Sequence, residues 1–348
     1  GTRLQSITGI AEDDEGNVWI SSGGHLDGAF RWDGSSWQAI GAEQGLDASG
    51  IHRIHKDRSG RLWFLGLETL SKPVKRGRAS IFVYGGGEFT RWENGPSRQW
   101  GRVYGFAEGT DGAYWFATVF GIFRLRDGEW TDWTTRDGLN NNRIFALAVD
   151  LNNRLWFADQ STGLGYMDDD KPRYLTSAHG LIDDRVWDLR VDDSNMLWIG
   201  TRGGLAGYRE GVFSTFGPQQ GLGNRTLWPV LPTPDLVYTG TAGNGLHLLN
   251  RAEERQPPPQ ITIIDSSVTE LTAAFRWRPT AYQGGIPSDQ IQTRFRLEGE
   301  PWSPWSTDHQ FERTGITRGE HLLHIQAKGL FGHFDAGGRK IHFSVPPP

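Results

Sequence analysis

Four arginines recur at a similar interval along the chain: Arg102, Arg143, Arg185 and Arg225. Two residues after them stand Tyr104, Phe145, Trp187 and Leu227, so three of the four read Arg-x-aromatic. In two earlier stretches Ser6 and Gly50 hold the arginine place, followed by Thr8 and His52. A guanidinium is a planar fork that grips carboxylate or sulfate through charge-assisted hydrogen bonds. An aromatic face offers flat apolar area to a sugar ring. Together they could hold an acidic oligosaccharide. Equally, each arginine could pair with an acid of the neighbouring segment and act as scaffold. The candidate ligand-binding set is Arg102, Tyr104, Arg143, Phe145, Arg185, Trp187, Arg225 and His52.

Other reactive residues read as structural. Asp13, Asp57, Asp150 and Asp192 each lie six residues before a tryptophan; Gly109 and Pro232 take the equivalent places elsewhere. One carboxylate per repeat, at a hairpin, cannot converge on a metal ion, whereas Asp in such a turn bonds its own backbone. Asp168, Asp169 and Asp170 form a hairpin tip by the same reasoning. His52 and His55, like His321 and His324, are three apart, so on a strand they face opposite ways and chelate poorly. No metal, cofactor, nucleophile elbow, zinc-protease helix or phosphate-binding glycine loop is read.

These residues sit in a repeat. Trp19, Trp63, Trp115, Trp156 and Trp198, with Tyr238 in sixth place, are 40 to 52 residues apart. The clearest copy predicts strands at Val186–Val191, Met196–Thr201, Leu205–Tyr208 and Val212–Phe216, parted by turns rich in Asp, Asn and Gly. The first predicts Ser6–Ala11, Val18–Ser21, Ala29–Trp32 and Trp37–Ile40. Gly45-Leu46, Gly138-Leu139, Gly180-Leu181 and Gly221-Leu222 close four of the units. Four-stranded repeats of this length are the mark of a β-propeller whose tryptophan rows are buried between blades. Six repeats are visible. The sixth shows only Thr226–Leu231, Leu236–Gly240 and Gly245–Leu249, so closure is expected to be incomplete, with strands supplied from upstream. The inner strands line the channel and the arginine row lies at one mouth. The second repeat carries an insertion, Leu65 to Ser80, on the same face; it holds Lys72, Lys75, Arg76 and Arg78.

Residues 1–256 are thus expected to be the propeller, 257–259 a stiff proline linker, and 260–348 a second domain. Alternating runs at Ile261–Asp265, Leu271–Trp277, Thr293–Leu297, Gln310–Arg313, Leu322–Ala327 and Ile341–Val345 suit an immunoglobulin-like sandwich. The fold class is all-β. With 36 Lys and Arg against 41 Asp and Glu, the net charge is −5, which argues against nucleic acid as a partner. There is no cysteine, hence no disulfide or thiol chemistry. No apolar span reaches the roughly 18 residues a membrane helix needs, so any membrane attachment is expected outside the sequence.

The repeats resemble the two-component regulator propeller repeat, most closely in DDSNMLWIGTRGG from Asp192 to Gly204. The second domain resembles the triple-tyrosine domain that follows such propellers, through RFRLEGEPWSPWS (Arg294–Ser306) and TRGEHLLHIQAKGLFG (Thr317–Gly332). Phe295, Phe311 and His321 occupy its tyrosine positions. The resemblance implies the periplasmic or extracellular sensor region of a membrane receptor, with a histidine kinase or diguanylate cyclase output elsewhere and no enzyme activity in this part. A small-molecule or oligosaccharide ligand is expected at the mouth, and a homodimer in the full receptor. Two alternatives stay open. Streptogramin lyases are propellers with similar Trp-Phe repeats and use a His beside an acid near the channel, which gives His52 and His55 another reading. A lectin-like propeller would bind sugars without signalling.

Overall fold

The computed structural model describes residues 7–22, 28–48, 50–66, 80–97, 100–218, 222, 227–241, 245–270, 272–282 and 286–346. They hold no α-helix. Five antiparallel sheets have four strands each, in chain order: β1–β4 (Gly9–Glu12, Val18–Ser21, Ala29–Trp32, Trp37–Ile40), β5–β8 (Arg53–Lys56, Leu62–Gly66, Ser80–Gly85, Glu88–Arg91), β9–β12 (Val103–Glu108, Tyr114–Thr118, Gly121–Arg126, Glu129–Trp133), β13–β16 (Ala146–Val149, Leu155–Ala158, Leu164–Asp168, Lys171–Leu175) and β17–β20 (Val186–Val191, Leu197–Thr201, Leu205–Arg209, Val212–Phe216). A sixth sheet has three, β21–β23 (Leu227–Pro232, Leu236–Thr241, Gly245–Asn250). The first strands β1, β5, β9, β13, β17 and β21 neighbour one another in that order, as inner strands of propeller blades do. The sixth sheet shows the three strands anticipated for it, among the described residues. The basic insertion of the second blade lies mostly outside those residues: Lys72, Lys75, Arg76 and Arg78 fall in the undescribed part.

The marker tryptophans hold the blades together. Trp19, Trp63 and Trp198 are at most 1% exposed, and Trp115 and Trp156 are buried. Trp19 presses on the second blade, with ring centroids 5.5 Å from Phe64 and 4.8 Å from Tyr84. Trp63 stacks on Phe106 of the third blade at 4.3 Å and 15°. Trp115 shares a core with Leu147 and Phe157 of the fourth. A buried indole still needs an acceptor for its N–H, and the carboxylate six residues upstream supplies it. Trp19, Trp63, Trp156 and Trp198 donate through Nε1 to Oδ2 of Asp13, Asp57, Asp150 and Asp192 at 2.8, 2.8, 2.9 and 2.9 Å. The other oxygen of each carboxylate accepts from backbone N–H groups of its own turn. These aspartates cap turns, as their spacing implied, and anchor the tryptophan as well.

The Gly-Leu pairs also have a physical cause. One-turn 3-10 helices at Ala42–Gln44, Thr135–Asp137 and Ser177–His179 end on Gly45, Gly138 and Gly180 with φ of 93°, 102° and 104°. That left-handed conformation favours glycine, and it turns the following Leu46, Leu139 and Leu181 into the core.

The chain divides into two compact units: Gly1–Ala206 with Phe216–Pro232 and Tyr238–His247, and Gly207–Thr215 with Thr233–Val237 and Leu248–Pro348. The second contains a β-sandwich of immunoglobulin-like kind. One sheet is β24 (Gln260–Val268), β25 (Thr272–Thr280) and β27 (Gln310–Thr314); the other is β26 (Gln292–Leu297), β28 (Gly319–Lys328) and β29 (Arg339–Val345). Alternate residues face inward, so Phe275, Trp277, Phe311, Leu323, Ile325 and Phe343 form its core with Phe295 against it. His321 is buried, and its ring nitrogens lie 2.6 Å from Glu298 Oε1 and 2.5 Å from the Thr317 carbonyl.

Candidate functional site

The inner strands begin at one mouth of the channel, and there they enclose a cavity of about 300 Å³. Each blade contributes to its wall. Thr8, His52, Tyr104, Phe145, Trp187 and Pro229 come from the six inner strands or the residues leading into them, joined by Arg53, Arg102 and Gln160. Five of the eight expected site residues thus meet: His52, Arg102, Tyr104, Phe145 and Trp187. Arg143 and Arg185 are exposed and do not line the cavity. Arg225 lies outside the described residues. Two larger grooves, of about 670 and 570 Å³, lie elsewhere. The first is at the blade rim beside Trp63, Trp92 and Tyr114, whereas the mouth cavity gathers residues from all six blades.

The aromatic wall is continuous. Tyr104 and Phe145 lie 4.5 Å apart and tilted by 31°, and His52 meets Tyr104 edge-on at 5.7 Å. Arg102 leans on the Tyr104 ring at 5.8 Å, while Arg143 leans on Phe145 at 5.9 Å from outside the cavity. Gln160 lies in the loop between β14 and β15, on the mouth face, where the chain direction puts such loops. Its φ is 72°, a conformation that non-glycine residues adopt at a cost and that tends to mark functional loops. Asp159 beside it accepts from the backbone N–H groups of Ser161 and Thr162 at 2.9 Å each and so fixes the turn. Neither Gln160 nor Arg53 was singled out by spacing. Gln160 has no counterpart in the repeat, and the signal for Arg53 is a long side chain where most blades have Gly or Ala.

His52 is held neutral. Burial, helped by the charges of Arg53 and Arg102, lowers its pKa to about 4 against the opposing pull of the Val103 carbonyl. A carbonyl only accepts, so the 2.6 Å contact to Val103 assigns the proton to Nε2. Unfolded histidine titrates near 6.5. Between pH 6.5 and 4 the unfolded chain therefore binds the proton first and stability falls as pH falls. His52 alone should cost about 2 kcal/mol by pH 5. His55, whose pKa is also lowered by desolvation, acts in the same direction. Thermal melts at pH 7 and 5 should show this loss, and His52→Gln should make it smaller. A pH dependence identical in the variant would refute the assignment.

The site offers aromatic faces and hydrogen-bond donors: the Arg53 and Arg102 guanidinium groups and the Gln160 amide. Among the described residues, none of those lining it is a carboxylate. The Nε2 proton of His52 is engaged by the Val103 carbonyl, and among the described residues no carboxylate bonds its ring. The lining thus combines flat aromatic faces with hydrogen-bond donors around one opening.

Comparison with known proteins agrees with this architecture. A family model described as "two component regulator propeller" matches residues 3–24. No curated protein matches the chain significantly. Among solved structures, the chain is similar to the extracellular domain of the hybrid two-component system BT4673 of B. thetaiotaomicron, with a TM-score of 0.54, 15% identity and coverage of 98% of this chain and 56% of that one. For BT3049 of the same organism the TM-score is 0.53 at 16% identity, covering 100% of this chain and 56% of that one. An inactive variant of virginiamycin B lyase from Staphylococcus aureus, solved with quinupristin, gives 0.54 at 11% identity over 72% of this chain and 82% of the lyase. The chain spans just over half the length of the two receptor domains. Among the described residues no helix is long and apolar enough to cross a membrane. The fold is a β-propeller followed by a β-sandwich, an architecture shared with the extracellular domains of two-component systems, and its first repeat matches the two-component regulator propeller.

Proposed function

We propose that this chain is the ligand-sensing part of a membrane signalling receptor and that the mouth cavity is its ligand site. The observation that carries this reading is the cavity itself: aromatic faces and donors from separate blades converge on one opening. Its volume is at the small end of ligand pockets, large enough for one or two sugar rings entering from the mouth. The resemblance of Arg294–Ser306 and Thr317–Gly332 to the triple-tyrosine domain supports the same reading. On that resemblance the sandwich would link the propeller to an output domain and contribute to a homodimer in the full receptor.

Changing Tyr104 and Trp187 to Ala should weaken binding of the cognate saccharide by more than tenfold, at about 1–3 kcal/mol per lost stacking face by analogy with planar bases. Calorimetry with saccharides chosen by a thermal-shift screen measures this, and unchanged affinity in the double variant would remove the mouth as the site. A lyase reading rests on the fold shared with virginiamycin B lyase. It predicts turnover of a streptogramin that is abolished in His52→Ala.

A further inference from the structure

Inward of the mouth, the strand registers identify the side chains on the inner strands. Opposite the marker tryptophans stand Ala11, His55, Ala107, Ala148 and Arg190. Opposite the residues two places further on stand Gly9, Arg53, Gly105, Ala146 and Asp188. Three of these five blades thus contribute nothing larger than a methyl group at either position. The long side chains come from the second and fifth blades, and Arg53 feels the charges of both Asp188 and Arg190.

Their charges do not balance. Asp188 is already engaged: its Oδ2 accepts the Val230 backbone N–H at 3.0 Å and lies 3.8 Å from Arg190 Nε. Arg53 has no carboxylate within 4.0 Å among the described residues, and its contact to the Thr8 carbonyl is long, at 3.4 Å. Burial keeps His55 neutral, so it adds no charge. Among the described residues these two guanidinium groups face one carboxylate, which leaves one positive charge in a partly enclosed space where attraction to an anion is weakly screened. Arg53 is half-buried and lines the mouth cavity, so a ligand seated there can reach it.

We propose that Arg53 forms an anion subsite at the inner end of the mouth cavity, where its guanidinium grips a carboxylate or sulfate group of a saccharide whose rings rest on Tyr104, Phe145 and Trp187. This rests on the reading of the mouth as the ligand site, and it sharpens the ligand class to acidic saccharides. It also places the anion contact on a half-buried arginine inside the cavity rather than on the exposed Arg143 and Arg185. A guanidinium fork fits either oxyanion in a bidentate manner, so the chemistry is shared and the probes must separate the two sources.

The test is calorimetry on the whole chain with matched galactose, glucose and N-acetylglucosamine disaccharides in neutral, uronate and sulfated forms. At least one acidic form should bind tenfold or more tightly than its neutral counterpart, and whichever does so identifies carboxylate or sulfate. Arg53→Gln should erase that preference, bringing the acidic and neutral forms to within twofold of each other, and Arg53→Lys should retain part of it. The wild-type preference is informative even if Arg53→Gln folds poorly. Equal binding of neutral and acidic forms overturns the anion subsite; if Tyr104→Ala still weakens that binding, the mouth remains the ligand site. An acidic preference that survives in a folded Arg53→Gln assigns the charge contact to another residue. Binding indifferent to Tyr104→Ala, or no binding of any probe, overturns both readings.

Discussion

An Asp57→Ala variant is expected to lose about 3–5 kcal/mol of unfolding free energy, the range for breaking a buried charged network by removing one partner. The Asp57 side chain is fully buried. Its Oδ1 accepts from Ser59 N, Ser59 Oγ and Arg61 N at 3.0, 2.8 and 2.9 Å. Its Oδ2 accepts from Arg61 Nε and Trp63 Nε1 at 2.8 Å each. Burial is the largest single influence on this carboxyl and favours the protonated form, yet those hydrogen bonds together outweigh it and hold the pKa below 3.8. Its stabilisation is therefore present at neutral pH and lost in acid as the folded carboxyl takes up its proton. Removing it leaves a buried indole N–H without its acceptor and a hairpin without its cap. Urea denaturation gives the size: a midpoint shift at constant slope worth less than about 1 kcal/mol would show that the indole finds another acceptor.

The second large effect is expected at Gly121. Its φ is +125°, and a Cβ there would stand 2.1 Å from the Trp133 carbonyl oxygen. The same collision appears twelve residues apart in three other blades: Gly28 against Ile40, Gly163 against Leu175 and Gly204 against Phe216, at 2.1, 2.5 and 2.4 Å. The third strand enters so close to the end of the fourth that only a hydrogen fits. Gly121→Ala combines a strained backbone with a contact that must open, on the order of 3–5 kcal/mol in all. Gly128→Ala is the control, because its φ is +81° with nothing within 4 Å, so only the backbone cost of about 1 kcal/mol applies. Equal midpoints for the two variants would show that the fourth strand yields without cost.

Much of this was legible in the residues. The tryptophan spacing identified the blades, and alternation located strands such as Val18–Ser21, Ala29–Trp32 and Val212–Phe216 at their observed ends, because each of these residues answers to its own sheet. The mouth was legible in part. Tyr104 and Trp187 lie within inner strands and Phe145 immediately precedes one, and all three reach the cavity. Arg143 and Arg185 were expected on the same face as their aromatics by the two-residue period of a strand. They precede β13 and β17 and belong to turns, where Asn141 and Asp183 side chains accept their backbone N–H groups at 3.0 and 2.8 Å. The period does not hold there. Arg53 differs: its long side chain stands out in the repeat, but the charges of Asp188 and Arg190 act on it from three blades away, and local pattern does not report which residues face each other across a ring.

The strand order within the blades bears on how fast the propeller can form. All-β domains fold slowly when their strands must find partners far away along the chain. Here the strands within each blade pair in chain order, and the carboxylate–indole bond spans six residues. Little chain entropy is lost before a blade gains its own contacts. The contacts that span longer stretches of chain are those of one tryptophan row with the next blade. Local pairing of this kind favours the rapid end of the range for all-β folds.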